Sequence, residues 1–308
     1  MAALGTALIA ALLSSGCVAE APSTGAAAPT LPASVVTSAP ASPSTATPSA
    51  TPSRAPSAAP ALQLHSVSNF RDVAGDGLAL AGGGRMATGV VYRSAELNPL
   101  STADASRLSR AGVRLVLDLR SPAVAKRVPD PTIPGAEEKV LDVFAGTNTS
   151  AAGIRTVAAA KAHMRSMNTD FVTKSAQRQR IGRALALIAA AQSPVLVHCT
   201  EGKDRTGWVS ALLQLVAGAS HDEVIAEYLK SNAYRAAVIA SAYRTTLASK
   251  GRTAALVQRA QLKLEADYLD AGLTAMTSRY GTLDGYLTDG LGLSQDTVAK
   301  LRVRLVAR

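Results

Sequence analysis

The sequence predicts an α/β domain whose mainly parallel sheet is flanked by helices and followed by a helical C-terminal part. Three observations support this fold class. Short apolar runs typical of strands alternate with amphipathic helical patterns. One run, Val113–Leu119 (VRLVLDL), is largely apolar and β-branched, which is typical of a strand covered on both faces. The region after Asp222 carries helical patterns to its end.

The elements follow in chain order. The predicted strands are Gly89–Tyr92, Val113–Leu119, Lys139–Phe144 and Pro194–His198. The predicted helices include Thr102–Ala111, Ser175–Ala191, Thr206–Val216 and Asp296–Val306. Ile181, Leu185 and Ile188 recur at helical spacing within the second of these helices. The polar, alanine-rich segment Thr147–Thr173 is the predicted mobile lid.

The charge is concentrated in the predicted domain. The formal net charge is +10, and residues 1–61 contribute one acid, Glu20, and one base, Arg54. A basic domain suits anionic partners such as phosphorylated substrates or acidic lipids, although a solvated basic surface explains the charge equally well. Aromatic residues make up 4% of the chain, too few for the stacking platforms that bind single-stranded nucleic acid. No nucleic-acid partner is therefore predicted.

The N-terminal segment has the pattern of an export signal. Residues 2–13 (AALGTALIAALL) are apolar but too short to span a bilayer as a helix. They suit the apolar region of a signal peptide, although no Lys or Arg precedes them. The run LLSSGC resembles a bacterial lipobox imperfectly, because Ser14 stands where a larger aliphatic residue is usual. Residues 1–17 are thus predicted to be a signal and lipobox-like segment with Cys17 lipidated, and an ordinary secretion signal is the alternative.

A long linker follows this segment. Residues 18–61 are almost entirely Ala, Pro, Ser and Thr, a composition with too little large apolar surface to offset the entropy of ordering. They are predicted to be a disordered tether, and residues 62–308 to be one catalytic domain. The expected location is the outer side of the cytoplasmic membrane, as a membrane-tethered lipoprotein with an N-terminal anchor, with secretion as the alternative.

The segment 194–207 (PVLVHCTEGKDRTG) carries the candidate chemistry. The strand VLVHC ends at the carboxyl edge of the sheet, where open α/β folds place their sites. Gly202 permits a tight turn, and a helix begins near Arg205, so that successive backbone N–H groups form an anion-binding nest. That environment favours the thiolate of Cys199. Arg205 can return its guanidinium to the same anion. A thiolate, an amide cradle and an arginine clamp together indicate phosphoryl transfer through a cysteinyl-phosphate.

Other kinds of site fit this segment poorly. An ATP-binding loop needs a glycine five residues before its Gly-Lys pair and Ser or Thr after it, but Val197 and Asp204 occupy those positions. A metal site needs clustered ligands, and no second pair accompanies His198–Cys199. A Cys-His protease reading leaves Arg205 unexplained. No metal and no cofactor are therefore predicted, and His198 is interpreted as a residue that orients the loop.

HCTEGKDRTG matches the signature of cysteine-dependent phosphatases, H-C-x5-R-[ST], and its GKDRTG form resembles the bacterial tyrosine phosphatase family. Further matches lie at Asn69–Gly75 (NFRDVAG), Val91–Leu97 (VYRSAEL), Leu117–Ser121 (LDLRS) and Tyr280–Ser294 (YGTLDGYLTDGLGLS), so the resemblance covers about residues 65–306. It implies hydrolysis of phosphate monoesters, most typically protein phosphotyrosine. The alternative is a phosphoinositide or dual-specificity phosphatase of the same chemistry. An inactive phosphate-binding module is a more distant alternative, and sulfur transfer and arsenate reduction fit weakly.

Roles follow from the matched positions. The catalytic residues are predicted to be Cys199 as nucleophile, Asp204 as general acid and Arg205 as transition-state clamp. The acid is implied by the resemblance, and Asp118, at the end of the LDLR strand, is the second candidate. Thr206 is predicted to donate its hydroxyl to the thiolate, and Lys203 to add charge at the rim or to be a solvated lysine. The predicted phosphate-binding set, mostly through backbone amides, is Thr200, Glu201, Gly202, Lys203, Arg205 and Thr206.

Two flanking motifs are interpreted structurally. Asn69, Arg71 and Asp72 are predicted to form a hydrogen-bonded brace under the active-site loop rather than to contact substrate. Ser294 is predicted to cap the last helix, because a serine side chain accepts a hydrogen bond from the free N–H groups of a first helical turn.

Overall fold

The computed structural model describes residues 61–147 and 151–307. The predicted signal segment and nearly all of the predicted tether lie outside the described residues. No helix within the described ranges is both long and apolar enough to cross a membrane.

A five-stranded sheet forms the centre of the domain. Its strands are β1 (Arg71–Asp72), β2 (Val91–Ser94), β3 (Leu115–Asp118), β4 (Glu137–Val140) and β5 (Val195–His198). Their spatial order is β1-β2-β5-β3-β4, and only the β1–β2 pair is antiparallel. The mainly parallel α/β fold predicted from the sequence is therefore confirmed.

The central strands bury both of their faces, as their continuous apolar runs predict. In β5, Val195 and Val197 pack into a large core that includes Trp208. Leu196 points to the other face and packs into a second core with Tyr92 and Val116. This alternation follows from the two-residue period of side-chain direction along a strand.

Helices cover the sheet and form the C-terminal part. Those before β5 are α1 (Thr102–Arg110), α2 (Pro122–Arg127), α3 (Val157–Thr173) and α4 (Ser175–Ala190). Those after it are α5 (Arg205–Ala217), α6 (His221–Leu229), α7 (Ser231–Tyr234), α8 (Ala236–Leu262), α9 (Ala266–Tyr280), α10 (Leu283–Gly285) and α11 (Gln295–Leu305), with a π-helical turn at Tyr286–Gly290. Helix α8 is interrupted at Gly251, whose φ is +79°. Ser294 accepts a hydrogen bond from the Thr297 N–H, which confirms its predicted capping role.

Three predicted segments differ from the structure. The strand predicted at Gly89–Tyr92 is found two residues further along the chain, as β2 at Val91–Ser94. The strand predicted at Lys139–Phe144 is found at Glu137–Val140, because β3 ends at Asp118 and its carbonyl makes the last ladder bond, 2.7 Å from the Leu141 nitrogen. The apolar residues beyond it, Leu141 and Val143, are buried but lie outside the strands of the described residues.

The prediction that Thr147–Thr173 forms a mobile lid is wrong for most of that segment. Val157–Thr173 is helix α3, and it packs along α9 and α8. Met164, Phe171 and Val172 of this helix are buried in the main core. Its alanine-rich sequence reflects close packing between helices rather than a segment outside the core.

Candidate active site

The active-site loop, Cys199–Asp204, connects β5 to α5 at the carboxyl edge of the sheet. Ser94, Asp118 and His198 end three adjacent parallel strands in register, so their side chains meet at this edge. Cys199 follows directly and is 1% exposed. The first N–H groups of α5 lack intrahelical partners, and Asp204 makes no side-chain cap bond to them. The predicted strand–loop–helix arrangement is present, and it turns unbonded N–H groups toward the loop.

Gly202 is required by the path of this loop. Its φ is +64°, a conformation that costs a residue with a side chain. A Cβ atom there would lie 2.3 Å from the carbonyl oxygen of Ser94. The loop therefore lies directly against the end of β2, and a side chain at this position would push it away.

Arg205 is held above the loop by contacts that leave part of its guanidinium free. Its Nη1 donates to the Leu119 carbonyl at 3.1 Å, and its Nη2 donates to Thr200 Oγ1 at 3.3 Å. The guanidinium carbon lies 4.4 Å from the centre of the Phe144 ring. Its Nε is buried and has no hydrogen-bond partner among residues 61–147 and 151–307. The same is true of Thr206 Oγ1 and Ser94 Oγ. Buried polar atoms without partners are uncommon, and these three belong to residues at the end of β2 and the start of α5, on either side of the loop.

A buried ion cluster supports the loop from the β2 side; we call Arg71, Arg93 and Glu227 the brace cluster. Arg71 pairs with Glu227 Oε1, and Arg93 Nη1 lies 2.9 Å from Glu227 Oε2. Arg93 Nη2 donates to the Gly202 carbonyl at 3.0 Å, so the cluster touches the loop directly. Burial, together with the charge of Arg71, lowers the pKa of Arg93 to about 10. Two guanidinium groups face one carboxylate, which leaves excess positive charge under the loop.

The predicted brace of Asn69, Arg71 and Asp72 is present for two of its three members. Asn69 Nδ2 donates to the Gly202 carbonyl at 2.8 Å and to the Glu201 carbonyl at 3.2 Å. Arg71 donates to Asn69 Oδ1. Asp72 instead accepts from the backbone N–H groups of Ala74 and Gly89, so it holds the β1–β2 connection and not the loop.

A second buried cluster lies on the β3 side of β5; we call Arg120, Asp118, Asp130 and His198 the strand-end cluster. Arg120 Nε lies 2.9 Å from both carboxylate oxygens of Asp118, and its Nη2 lies 2.8 Å from Asp130 Oδ2. His198 Nε2 lies 2.9 Å from the same Asp130 oxygen, which supports its interpretation as an orienting residue. Burial alone would raise the pKa of Asp130, but the hydrogen bond from His198 and the charges of His198 and Arg120 hold it below its usual value.

Ligand atoms of Asp118, Asp130 and His198 lie within 4.8 Å of one another, a spacing that a metal ion could use. The Arg120 guanidinium already contacts both carboxylates and supplies the positive charge that a metal would bring. The arrangement fits a structural ion cluster better than a metal site.

The two candidate acids have different surroundings. Asp118 is fully buried and bound through both oxygens by Arg120. Asp204 has a side chain that is 13% exposed and lies 3.0 Å from Lys203 Nζ. A general acid must reach the leaving oxygen of a substrate, which favours Asp204. Lys203 is only 3% exposed, so neither a rim lysine nor a solvated lysine describes it; it is paired with Asp204 beneath the surface.

Sequence reasoning missed four charged residues near the loop: Arg93, Asp130, Glu227 and Arg235. An arginine within the apolar run of β2 was a usable signal for Arg93, because a buried arginine needs a partner. Glu227 lies in α6, 134 residues from Arg93, and nothing in its local sequence separates it from a surface acid. Arg235, between α7 and α8, is 2% exposed and pairs with Glu201 of the loop.

Comparison with known proteins agrees with this geometry. The model of the tyrosine phosphatase family matches residues 62–307. The chain belongs to the tyrosine phosphatase family. It is 31% identical over 275 residues to the triple specificity protein phosphatase PtpB of Mycobacterium tuberculosis, which covers 78% of this chain and 97% of that protein. It is also 31% identical over 227 residues to a tyrosine-protein phosphatase of Nostoc commune, covering 69% and 73% of the two chains. The resemblance seen in the loop and its flanking motifs is therefore confirmed.

Proposed function

We propose that this protein hydrolyses phosphotyrosine in proteins through a cysteinyl-phosphate. The Cys199 thiolate attacks phosphorus as the bond to the tyrosine oxygen breaks, and Asp204 gives its proton to that oxygen. Water then attacks phosphorus, Asp204 accepts a proton from it, and the thiolate leaves with a hydrogen bond from Thr206. Arg205 and the loop amides from Thr200 to Arg205 hold the phosphoryl oxygens through both steps.

The observation that carries this proposal is the group of buried donors without partners around Cys199. Arg205 Nε, Thr206 Oγ1 and Ser94 Oγ lack partners among the described residues, yet each is desolvated. Such atoms cost free energy unless a ligand satisfies them. The brace cluster adds positive charge, which favours an anionic ligand. A phosphate monoester placed over Cys199 satisfies both conditions.

The test compares the full chain with two variants in EDTA and reductant. Substrates are p-nitrophenyl phosphate and a phosphotyrosine peptide. Cys199→Ser is expected to abolish turnover of both. Asp204→Asn is expected to slow the peptide about 100-fold or more but the nitrophenyl ester much less, because nitrophenolate leaves without a proton. Asp296→Asn, on the exposed face of α11, is the control and should behave as wild type.

Three results would count against the proposal. Turnover that survives Cys199→Ser would rule out a cysteinyl-phosphate intermediate. If Asp204→Asn slows both substrates equally, Asp204 is not the general acid, and Asp118 becomes the candidate for that role. Binding of phosphate esters by wild type without turnover would identify an inactive phosphate-binding module.

A phosphoinositide is the second candidate substrate. Its support is the net charge of +10, which favours anionic partners. A short-chain phosphoinositide tested in the same assay decides between the two substrates. A higher kcat/KM for the lipid than for the peptide would identify the phosphoinositide as the preferred substrate.

For its location, we propose export and tethering to the outer side of the cytoplasmic membrane through Cys17, with secretion as the alternative. The support is the apolar run 2–13, the lipobox-like LLSSGC and the linker 18–61. Fractionation of expressing bacteria tests it. Wild type is expected with membranes and Cys17→Ser in the medium or periplasm; a cytoplasmic wild-type protein would contradict the proposal.

A further inference from the structure

Glu201 places a carboxylate inside a loop that is expected to bind phosphate. It lies two residues after Cys199, and its side chain is 38% exposed. A negative charge beside an anion site repels the ligand, and the repulsion is strong where water is partly excluded. The loop therefore needs a compensating cation close to Glu201.

Arg235 is the cation that meets Glu201. It lies between α7 and α8, is 2% exposed, and pairs through Nη2 with Glu201 Oε2. Its Nη1 donates to the Leu262 carbonyl at 2.9 Å, which fixes the guanidinium at the end of α8. Burial lowers the pKa of Arg235 to about 10, opposed by the negative charge of Cys199, so Arg235 also lies within electrostatic range of the nucleophile.

Arg235 differs from Arg205 and Arg93, the arginines described above as bonded within or to the loop. Arg205 belongs to the loop itself, and Arg93 binds the Gly202 carbonyl from below. Arg235 contacts the loop through the side chain of Glu201, which is why its effect depends on what occupies that position. An uncharged residue at position 201 would leave Arg235 without this role.

We propose that Arg235 is a positioning residue that cancels the charge of Glu201 and so makes the loop able to bind a phosphate dianion. This inference rests on the proposed function, since it assumes that phosphate is the ligand. It makes a signed prediction: removing Arg235 weakens phosphate binding, and removing the Glu201 charge as well restores it.

The test measures protection of Cys199 by inorganic phosphate in the full-length protein. Iodoacetamide alkylation of Cys199 is followed on its tryptic peptide, which ends at Lys203, so Cys17 does not interfere. The variants are Arg235→Ala, Glu201→Gln, the double variant, and Arg244→Ala as control. Arg244 is an exposed cation on α8 without an ion-pair partner in the described part of the chain, and its loss should change nothing.

Arg235→Ala is expected to raise the half-protecting phosphate concentration about tenfold. The double variant should return to within about threefold of wild type, and Glu201→Gln alone should lower the concentration about two- to fivefold. With p-nitrophenyl phosphate, Arg235→Ala should raise KM more than it lowers kcat.

Equal weakening in Arg235→Ala and the double variant would overturn the proposal, because it would show a purely structural role. Weaker binding in Glu201→Gln would also overturn it, and this variant keeps the test decisive if Arg235→Ala does not fold. Protection requires no turnover, so a failure of the proposed catalytic function is seen separately, as absent hydrolysis with the phosphate effect intact.

Discussion

The brace cluster and the strand-end cluster lie on opposite sides of β5 and are similarly buried, but only the brace cluster has an excess of positive charge. The brace cluster sets two arginines against one carboxylate and contacts the loop carbonyl of Gly202. The strand-end cluster sets Arg120 against two carboxylates and holds His198. One side therefore adds positive charge beneath the loop, and the other fixes the end of the strand that leads into it.

This difference in charge balance gives the two buried clusters different roles. A buried ion pair adds little stability by itself, because desolvation offsets the attraction. The brace cluster gains from its excess positive charge only when an anion occupies the loop. The strand-end cluster has no such excess, so its role is orientation.

Glu227→Ala breaks the brace cluster and should have the largest effect on stability. It leaves two buried arginines without a carboxylate, which costs about 3–5 kcal/mol. Asp130→Ala in the strand-end cluster should cost about 1.5–3 kcal/mol, because Arg120 keeps Asp118. Urea unfolding at one pH gives both free energies. A larger loss for Asp130→Ala would mean that the strand-end cluster is the more important support.

Only part of the fold and of the two clusters could be predicted from the sequence. The parallel sheet and the loop were predictable because a β-branched run, a glycine and a helix start are local signals. The position of β4 was not, since the end of β3 decides where pairing stops. Glu227 and Arg235 were not predictable either, because their partners are distant in sequence and both residues lie in ordinary helical patterns.

Gly202→Ala should disturb the loop backbone where the brace cluster contacts it, at the Gly202 carbonyl that accepts from Arg93. The left-handed φ and the overlap with Ser94 together should cost about 2–4 kcal/mol and most of the activity. Gly218 ends α5 with φ +98°, and a Cβ atom at that position would meet nothing within 4 Å. Gly218→Ala should therefore cost only about 1 kcal/mol and leave turnover intact. Unfolding and p-nitrophenyl phosphate assays separate the two. Equal losses would show that backbone conformation alone, and not the approach to β2, determines the requirement for glycine.

The smallest expected effect is on the pH dependence of the free energy of unfolding, to which Asp72 and Asp130 should contribute with opposite sign. Burial raises the pKa of Asp72 to about 6 from 3.8, against hydrogen bonds from Gly89 and Ala74, and the nearby Glu227 charge raises it further. The folded protein thus binds this proton more tightly than the unfolded chain, and stability from it falls as pH rises through 6. Relative to Asp72→Asn, wild type should lose about 1–1.5 kcal/mol between about pH 5 and 7.5.

Asp130 supplies the matched contrast, because its pKa is lowered in the folded protein. A carboxyl group of this kind stabilises the fold above its unfolded pKa and loses that contribution as pH falls through its folded pKa. The stability difference between wild type and Asp130→Asn should therefore shrink toward acidic pH, whereas the Asp72 difference moves in favour of wild type. Urea unfolding at several pH values measures both slopes. Slopes of the same sign would contradict either the rise in the pKa of Asp72 through burial or the fall in the pKa of Asp130 through His198 and Arg120.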